Sequence, residues 1–320
     1  MQLQNNKRHM VNIIYDIARE ENIEIKSFSY DWIFMMKKGD VYRYIYGYNF
    51  DINSSGVYLL TNDKSATSDI LGTSDIPHVE HKFFISPCNL DYIGENGNWN
   101  NMICYAQDND WNIVCKSNNG TGGNEVYRVR NQIQLEGVVF KLFKDNRSIA
   151  LSPYQDIKNE YRVIYLDGEV MLTYGKNRNS VTADGVSTLK HLINNKYCGG
   201  DFVDFFRLLD EETLSNLDHI FPNGEIVNLN WKHNLAKGAS AFIVQDQALK
   251  DKLALLCADT ANLLNIKMAS IDIIDTDNGF LIMEINSGIM MENFIRNAPQ
   301  GYDIAKTIYK KAILKMFKFN

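Results

Sequence analysis

Two carboxylates and one amide stand in neighbouring apolar segments of the chain. Asp272 lies between two isoleucines, and Glu284 and Asn286 flank Ile285. Side chains two residues apart on a strand point to the same face, so Glu284 and Asn286 are predicted to project together. A hairpin turn would bring Asp272 opposite them, and three such oxygen donors suit Mg²⁺ that carries nucleotide phosphates. By composition alone, a solvated strand edge is an equally good interpretation.

A lysine and a glycine-rich stretch form a second group. Lys116 ends a predicted strand and precedes a polar run that contains Gly120, Gly122 and Gly123. These glycines allow the backbone to approach phosphate oxygens and to turn its N–H groups toward them. Lys116 would supply a positive point charge for the same phosphates. In isolation an ordinary mobile loop is the better interpretation, and only the metal-binding pattern downstream favours a nucleotide.

The candidate metal residues also carry a family resemblance. Residues 270–287 are similar to the closing motif of the ATP-grasp ligases, above all to the RimK-like branch, which includes ribosomal-protein glutamate ligase. The resemblance implies that Asp272, Glu284 and Asn286 bind magnesium, with manganese as an alternative ion. The proline-containing NxSPG of the family is replaced by Asn-Ser-Gly-Ile-Met at residues 286–290. This change keeps the ligands and alters the loop that follows them.

The resemblance extends to the phosphate-binding parts of the family. The glycine run at residues 120–123 is similar to the loop that covers the triphosphate, with Lys116 in front of it. Lys64 follows an aspartate and is similar to an earlier lysine of the family that contacts phosphate. The cofactors implied are therefore ATP and Mg²⁺.

Residues 151–162 resemble the hinge at which the family binds adenine and ribose. The resemblance implies that Pro153 and Tyr154 lie beside adenine and that Glu160 binds the ribose hydroxyls. Because proline has no N–H, a donor bond to adenine must come from Tyr154 or another residue. A surface ion pair between Glu160 and Arg162 is the alternative interpretation.

A basic run at residues 230–238 is similar to the R-x-N-x-x-x-G segment of the family. Lys232 takes the place of the arginine, Asn234 matches, and Lys176 falls where the family has a catalytic arginine. The resemblance implies catalytic roles for Lys176, Lys232 and Asn234, and nucleotide contacts for Lys232, His233 and Asn234. Each lysine keeps the charge of an arginine but loses its bidentate geometry. A basic solvated turn is the alternative.

Residues 180–193 resemble the GDGxxTIxxLI insertion of ligases such as cyanophycin synthetase and bifunctional glutathione synthetase, with Ala183 in place of the first glycine. These relatives imply an amino acid or a peptide as substrate. The whole resemblance implies an α+β ATP-grasp fold in which two α/β lobes clasp ATP, with a small N-terminal α/β domain. The expected divisions are residues 1–78, 79–150 and 151–320.

The reaction implied is the ligation of a carboxylate to an amine through an acyl phosphate, with formation of ADP. A kinase that phosphorylates a small molecule and a non-catalytic nucleotide-binding protein are the alternatives. Small-molecule, amino-acid or peptide substrates are the expected partners, and a carrier protein, a peptide partner or a homo-oligomer is compatible with the sequence.

The bulk composition excludes several other classes of protein. The 320 residues are 45% hydrophobic and carry a net charge of −6, so no general attraction to nucleic acid or to an anionic membrane is expected. No apolar run reaches the roughly 18 residues that a membrane helix needs. An odd number of scattered cysteines without a CxxC pair indicates a reducing compartment, and the expected location is cytoplasmic. These cysteines are Cys88, Cys104, Cys115, Cys198 and Cys257.

Hydrophobic periodicity predicts the elements that must position these residues. Helices are expected over residues 10–21, 64–71, 246–264 and 303–317. Strands are expected over residues 23–25, 32–36, 41–46, 57–60, 111–116, 125–129, 161–166, 169–174, 270–274 and 280–285. The strands on either side of the glycine run are expected to pair as a hairpin, and a turn at Asp167 and Gly168 is expected to join two others.

Overall fold

The computed structural model describes residues 8–92, 94–120, 122–123, 125–197 and 209–318. Cys198 lies outside these ranges, and the other four cysteines are free thiols. No helix in these ranges is long and apolar enough to cross a bilayer. The α-helices are α1 (His9–Glu20), α2 (Ser55–Asn62), α3 (Lys64–Gly72), α4 (Trp99–Asp108), α5 (Gln132–Asp145), α6 (Leu189–Lys196), α7 (Glu211–Ser215), α8 (Gln247–Leu264), α9 (Glu292–Asn297) and α10 (Gly301–Met316).

Within the described residues the strands form four sheets. They are β1 (Glu24–Phe28), β2 (Ile33–Lys38), β3 (Val41–Tyr46), β4 (Asn49–Phe50), β5 (Lys82–Ile85), β6 (Ile113–Ser117), β7 (Val126–Val129), β8 (Ser148–Pro153), β9 (Asn159–Leu166), β10 (Glu169–Asn177), β11 (Ser180–Thr182), β12 (Ile226–Asn228), β13 (Ser240–Ile243), β14 (Met268–Thr276) and β15 (Gly279–Asn286). Short 3₁₀ helices cover Pro87–Tyr92, Gly94–Gly97 and Leu235–Lys237.

A five-stranded antiparallel sheet with the order β13-β10-β9-β14-β15 forms the centre of the molecule. Strands β9 and β10 are joined at Asp167 and Gly168, which both adopt positive φ, so the predicted turn is present. One face of this sheet packs against α8, whose Leu253, Cys257 and Ala261 recur every four residues and are buried. That spacing places them on one helix face, as the sequence predicted.

The opposite face of the central sheet changes character along its strands. At one end it is apolar, and Ile164 and Met268 join a core that includes α1, α10 and the sheet of β1 to β4. At the other end the same face carries charged residues, among them Arg162 and Asp272. Alternation along each strand keeps all four side chains on one face, so the charged end lies next to a packed core.

Two smaller lobes accompany the central sheet. The sheet β5-β8-β6-β7 packs against α4 and α5 and carries the glycine run between β6 and β7. These two strands pair antiparallel, with Ile113 opposite Val129, so the predicted hairpin is present. We call β6, β7 and their connection the glycine hairpin. The pair β11-β12 and the helix α6 form a small core of their own, to which Val181, Leu189 and Ile193 of residues 180–193 contribute.

One predicted strand is wrong. Residues 57–60 lie in α2, which begins after Ser54, and the Ser54 hydroxyl accepts a hydrogen bond from the N–H of Val57. A four-residue apolar run fits a strand and a buried helical turn equally well, so periodicity alone could not separate them. The serine cap and the packing of α2 against β15 decide in favour of the helix.

Candidate nucleotide and metal site

A cavity of about 180 Å³ is lined by the charged end of the central sheet and by the glycine hairpin. The residues that the sequence singled out and that line it are Lys64, Lys116, Gly120, Gly122, Gly123, Glu160, Lys176, Lys232, His233, Asn234, Asp272, Glu284 and Asn286. Residues from distant parts of the chain therefore meet at one place.

Strand register explains why four polar side chains meet on the central sheet. Tyr174 of β10 lies opposite Arg162 of β9, which lies opposite Asp272 of β14. Asp272 in turn lies opposite Glu284 of β15, at a register shift that follows Asp272. Directly opposed residues of antiparallel strands place their Cβ atoms about 5 Å apart. The predicted juxtaposition of Asp272 with the Glu284 strand is present.

The floor of the cavity is a network of a buried lysine, a half-buried arginine and two buried carboxylates. Arg162 donates from Nε and Nη2 to the two oxygens of Asp272, at 2.6 and 2.5 Å. Lys176 Nζ donates to Glu160 Oε1 at 2.5 Å and to Asp272 Oδ1 at 3.0 Å. We call Glu160, Arg162, Lys176 and Asp272 the cavity floor. Glu160 and Arg162 thus pair with other partners and not with each other.

Electrostatics keep Asp272 ionised on this floor. Burial alone would raise the pKa of its carboxyl, but the charges and hydrogen bonds of Arg162 and Lys176 outweigh burial and lower the pKa to about 2. Two cations beside one buried carboxylate favour the charged form of that carboxylate. The floor therefore holds an ionised Asp272 between Arg162 and Lys176 at neutral pH, while burial raises the pKa of the neighbouring Glu160.

The glycine hairpin brings two lysines to the other side of the cavity. Lys64, at the start of α3, donates from Nζ to the carbonyl oxygen of Gly120 at 2.5 Å and lies 3.7 Å from Glu284 Oε1. Lys116 is 7% exposed and forms no ion pair with any residue in the described ranges. Burial lowers the pKa of Lys116 to about 8, with Glu284 acting in the opposite direction.

Residues 231–236 contact the glycine hairpin across the cavity. Lys232 Nζ donates to the carbonyl oxygen of Val126 at 2.7 Å, and Asn234 Nδ2 donates to that of Gly122 at 2.8 Å. Gly123 has φ of +69°, and a Cβ there would lie 2.4 Å from Asn234 Nδ2. Only glycine combines this backbone conformation with so close an approach. Residues 231–236 and the glycine hairpin therefore pack closely against each other, with no space for a side chain at residue 123.

His233 is held by both ring nitrogens. Arg178 Nε donates to its Nε2 at 2.7 Å, and its Nδ1 lies 2.8 Å from the carbonyl oxygen of Lys176. An Nε2 that accepts leaves the proton on Nδ1, which then donates to that carbonyl. Burial lowers the pKa of His233 to about 4. The ring is neutral at pH 7 and orients the strand that carries Lys176.

The oxygen donors of the cavity suit a hard cation. The Glu284 side chain is 22% exposed toward the cavity, and Asn286 lines the same wall. No group of three His, Cys, Asp or Glu side chains within the described ranges has a metal-binding arrangement. Magnesium is usually bound through one or two carboxylates together with phosphates and water. Glu284, Asn286 and one oxygen of Asp272 match that need.

Two of the residues predicted to contact the nucleotide do not line this cavity. Pro153 and Tyr154 are not among the described residues that line the cavity. The N–H of Tyr154 donates to the carbonyl oxygen of Asn112 at 2.8 Å, and the guanidinium of Arg128 stacks on its ring at 3.5 Å. The Tyr154 ring lies 5.9 Å from that of Trp231, a cavity residue. A contact of Tyr154 with adenine stays a prediction.

Sequence reasoning missed several residues of the cavity. Arg162 is predicted only as half of an alternative surface pair, although its position two residues after Glu160 in an apolar strand signals a shared face. Tyr174, Met290, Asn293 and Phe294 form a further part of the wall. Tyr174, Met290 and Phe294 carry no sequence signal, because apolar and aromatic residues in strands and helices are usually core, and a single asparagine such as Asn293 belongs to no motif.

Comparison with known proteins gives the architecture a name. Residues 210–312 match the family model of the RimK-like ATP-grasp domain. The fold is similar to that of a bifunctional glutathione synthetase from Pasteurella multocida, with 16% identity, a TM-score of 0.54 and coverage of 94% of this chain and 44% of that one. A D-alanine–D-alanine ligase from Bacillus anthracis gives 13% identity, a TM-score of 0.52 and coverage of 81% and 67%.

No curated protein matches the sequence. This chain spans less than half of the length of the glutathione synthetase. The expected α+β fold of the ATP-grasp ligases is confirmed, and the resemblance to the RimK-like branch is confirmed over residues 210–312. Identities this low establish the fold and leave substrates to be argued from the site.

Proposed function

We propose that this chain, which has the ATP-grasp fold with a RimK-like domain at residues 210–312, is an ATP- and Mg²⁺-dependent carboxylate–amine ligase that forms ADP. Members of the ATP-grasp ligase family are ADP-forming carbon–nitrogen ligases. The observation that carries the proposal is one cavity with Lys116 and the glycine hairpin on one side and Glu284 and Asn286 on the other.

The phosphates of ATP are assigned to the glycine hairpin. Lys116 is a buried ammonium without an ion-pair partner in the described ranges, and it offers its charge to an incoming anion. Lys64 holds the carbonyl of Gly120 and so fixes the hairpin beside Glu284. Backbone N–H groups of a glycine-rich turn add donors to phosphate. A triphosphate is the ligand that this combination of charge and shape suits.

Asp272, Glu284 and Asn286 are the proposed magnesium ligands. When bound, the cation would neutralise charge on the phosphates and draw density from the terminal phosphoryl group. Asp272 already accepts from Arg162 and Lys176, so it has one oxygen lone pair to spare for a cation. Glu284 and Asn286 supply the less committed oxygens.

The reaction assigned is acyl-phosphate formation followed by aminolysis. A substrate carboxylate oxygen attacks the terminal phosphorus of ATP, the bond to the bridging oxygen breaks, and ADP leaves. An amine then attacks the acyl carbon, the carbon–oxygen bond to phosphate breaks, and phosphate leaves while the amine loses a proton. Lys176 and Lys232 would stabilise the negative charge that moves between these oxygens, and Asn234 would hold the hairpin closed.

The substrate class proposed is an amino acid or a peptide, free or attached to a carrier. Support comes from residues 180–193, whose pattern resembles an insertion of amino-acid ligases. In this chain Asp184 accepts from the N–H groups of Val186 and Ser187 and forms an exposed turn before α6. This turn belongs to the small lobe of β11 and β12.

The deciding experiment measures ADP release with mixtures of amino acids and peptides, followed by mass spectrometry of the products. Hydroxylamine should trap the acyl phosphate as a hydroxamate once an acid that supports turnover is found. Glu284→Gln should abolish ADP release, while Glu169→Gln, at an exposed glutamate of β10, should not change it. A stable phosphorylated product without an amine requirement would instead establish a kinase.

A further inference from the structure

The segment that follows the candidate ligand Asn286 is fixed by residues from the other end of the chain. We call residues 287–291 the active-site loop. The Ser287 hydroxyl lies 2.9 Å from that of Thr61, and the N–H of Ile289 donates to the carbonyl oxygen of Tyr48 at 3.0 Å. The loop follows Asn286 directly and contains Met290, and both residues line the cavity. Its position therefore depends on the N-terminal part of the fold.

Glu292, directly after the active-site loop, makes a further contact with the N-terminal part of the fold. Its carboxylate accepts from the N–H groups of His9 and Met10, at 2.9 and 3.0 Å, and is 6% exposed. Those N–H groups belong to the first turn of α1, which has no side-chain cap of its own. A negative charge at a helix N-terminus stabilises both partners. Glu292 therefore holds the residue that follows the loop against the first turn of α1.

A further close approach between the two regions is at Gly288. A Cβ on this residue would lie 2.8 Å from Asn49 Oδ1 and 3.4 Å from Asn49 Cγ. Asn49 begins β4, and its Nδ2 donates to the carbonyl oxygen of Tyr46 at 3.3 Å. Its Oδ1 is buried and has no hydrogen-bond partner in the described ranges. In this arrangement the Asn49 side chain and the loop backbone lie too close together for a methyl group to fit between them.

We propose that the sheet of β1 to β4 is a positioning element of the nucleotide and metal site, and that Asn49 against Gly288 sets the distance at which it holds the active-site loop. An added side chain at residue 288 would have to displace either the Asn49 amide or the loop itself, because its Cβ would lie 2.8 Å from Asn49 Oδ1. Displacement of the loop would move Met290 within it, together with Asn286 before it and Asn293 after it. The choice of ligand rests on the proposed function, whereas the contact itself does not.

The test is a suppressor pair. Gly288→Ala should weaken binding of Mn²⁺ with a non-hydrolysable ATP analogue by about tenfold or more, the loss typical of a displaced supporting residue. Asn49→Ala in the same chain should restore most of the affinity, because it removes the atoms that the new methyl group meets. Gly137→Ala, at a helical glycine with nothing within 4 Å of the added Cβ, is the matched control and should bind as the wild type does.

A second measurement needs no nucleotide. Amide hydrogen exchange of the apo protein at residues 286–291 should become faster in Gly288→Ala and slow again in the double variant. A Gly288→Ala variant with wild-type affinity and exchange, or a double variant as impaired as the single one, would overturn the proposal. If the wild type binds no nucleotide, the proposed function fails, and the exchange rates of the three variants still decide the positioning role.

Discussion

The cavity floor and the glycine hairpin each bury a lysine, and they differ in whether that lysine is paired with carboxylates. Arg162 and Lys176 on the floor share the carboxylates of Asp272 and Glu160. Lys116 on the hairpin side has no ion-pair partner in the described ranges, and burial lowers its pKa to about 8. The floor is electrostatically complete without a ligand, whereas the hairpin side is incomplete.

The difference separates two uses of a buried charge. A paired network holds its side chains in fixed positions. Removal of one partner is costly, because it leaves the others buried and uncompensated. An unpaired ammonium destabilises the free protein and gains its partner only when an anion binds. Floor substitutions should therefore lower stability in addition to any loss of activity, whereas hairpin substitutions should lower affinity without lowering stability. Four predictions test this contrast, beginning with the largest effect.

Asp272→Asn should lower the free energy of unfolding by about 3–5 kcal/mol, as expected when one partner of a buried ionic network is lost. The amide cannot neutralise Arg162 and Lys176. Urea denaturation monitored by circular dichroism provides the measurement. Asp277→Asn, at an exposed residue paired with Lys158, is the control and should stay within about 0.5 kcal/mol of the wild type. Equal stability of the two variants would contradict the assigned network.

Lys116→Met should weaken binding of an ATP analogue about 10- to 100-fold, since a hydrogen bond to a charged group contributes about 1.5–3 kcal/mol. Its stability should be equal to that of the wild type or higher, because no ion pair is broken. Calorimetry and urea denaturation measure the two quantities. Lys158→Met, at an exposed lysine, should change neither, and unchanged affinity in Lys116→Met would refute the assignment.

The pH dependence sharpens the same contrast. The pKa of Lys116 is about 8 in the folded protein and about 10.4 when unfolded. Between these values the unfolded chain binds more protons, so the contribution of Lys116 to stability rises with pH in that window. Nucleotide binding restores the ammonium, so above pH 8 it should take up a proton and weaken as pH rises. Calorimetry in buffers of different ionisation enthalpy should detect this uptake in the wild type and not in Lys116→Met.

His233 gives the smallest expected effect. Its folded pKa is about 4, against about 6.5 unfolded, so stability should be complete above pH 6.5 and decrease as pH falls toward 4. His233→Asn keeps a donor for the Lys176 carbonyl and should flatten that decrease. His191→Asn, at an exposed histidine, should leave it unchanged. Thermal unfolding between pH 4 and 7 measures both, and identical slopes would count against the neutral ring.

Much of the site could be predicted because its residues alternate with apolar ones on paired strands. The opposition of Asp272 and Glu284, and the glycine hairpin behind Lys116, both follow from local pattern and turn chemistry. The assigned roles of these residues stay predictions. The partners of Glu160 could not be predicted, since its contact with Lys176 depends on how β9 and β10 are registered.

The N-terminal part was the least predictable. Residues 57–60 were assigned to a strand because a short apolar run has no periodicity to distinguish the two structures. The contact of Asn49 with Gly288 joins residues far apart in sequence, and no local signal reports it. The division at residues 78 and 150 stays a prediction as well. Cores formed between distant segments, such as that of α1 with α10, cannot be deduced from either segment alone.

The carboxylate that caps α1 has a consequence for synthesis of the chain. His9 and Glu292 are separated by 283 residues, and at about 5–20 residues per second a ribosome needs roughly 15 s to a minute to add them. During that interval the first turn of α1 has no acceptor from Glu292, and its apolar face awaits α10. The first turn of α1 and its apolar face therefore stay without these partners until residues 292–316 have been synthesised.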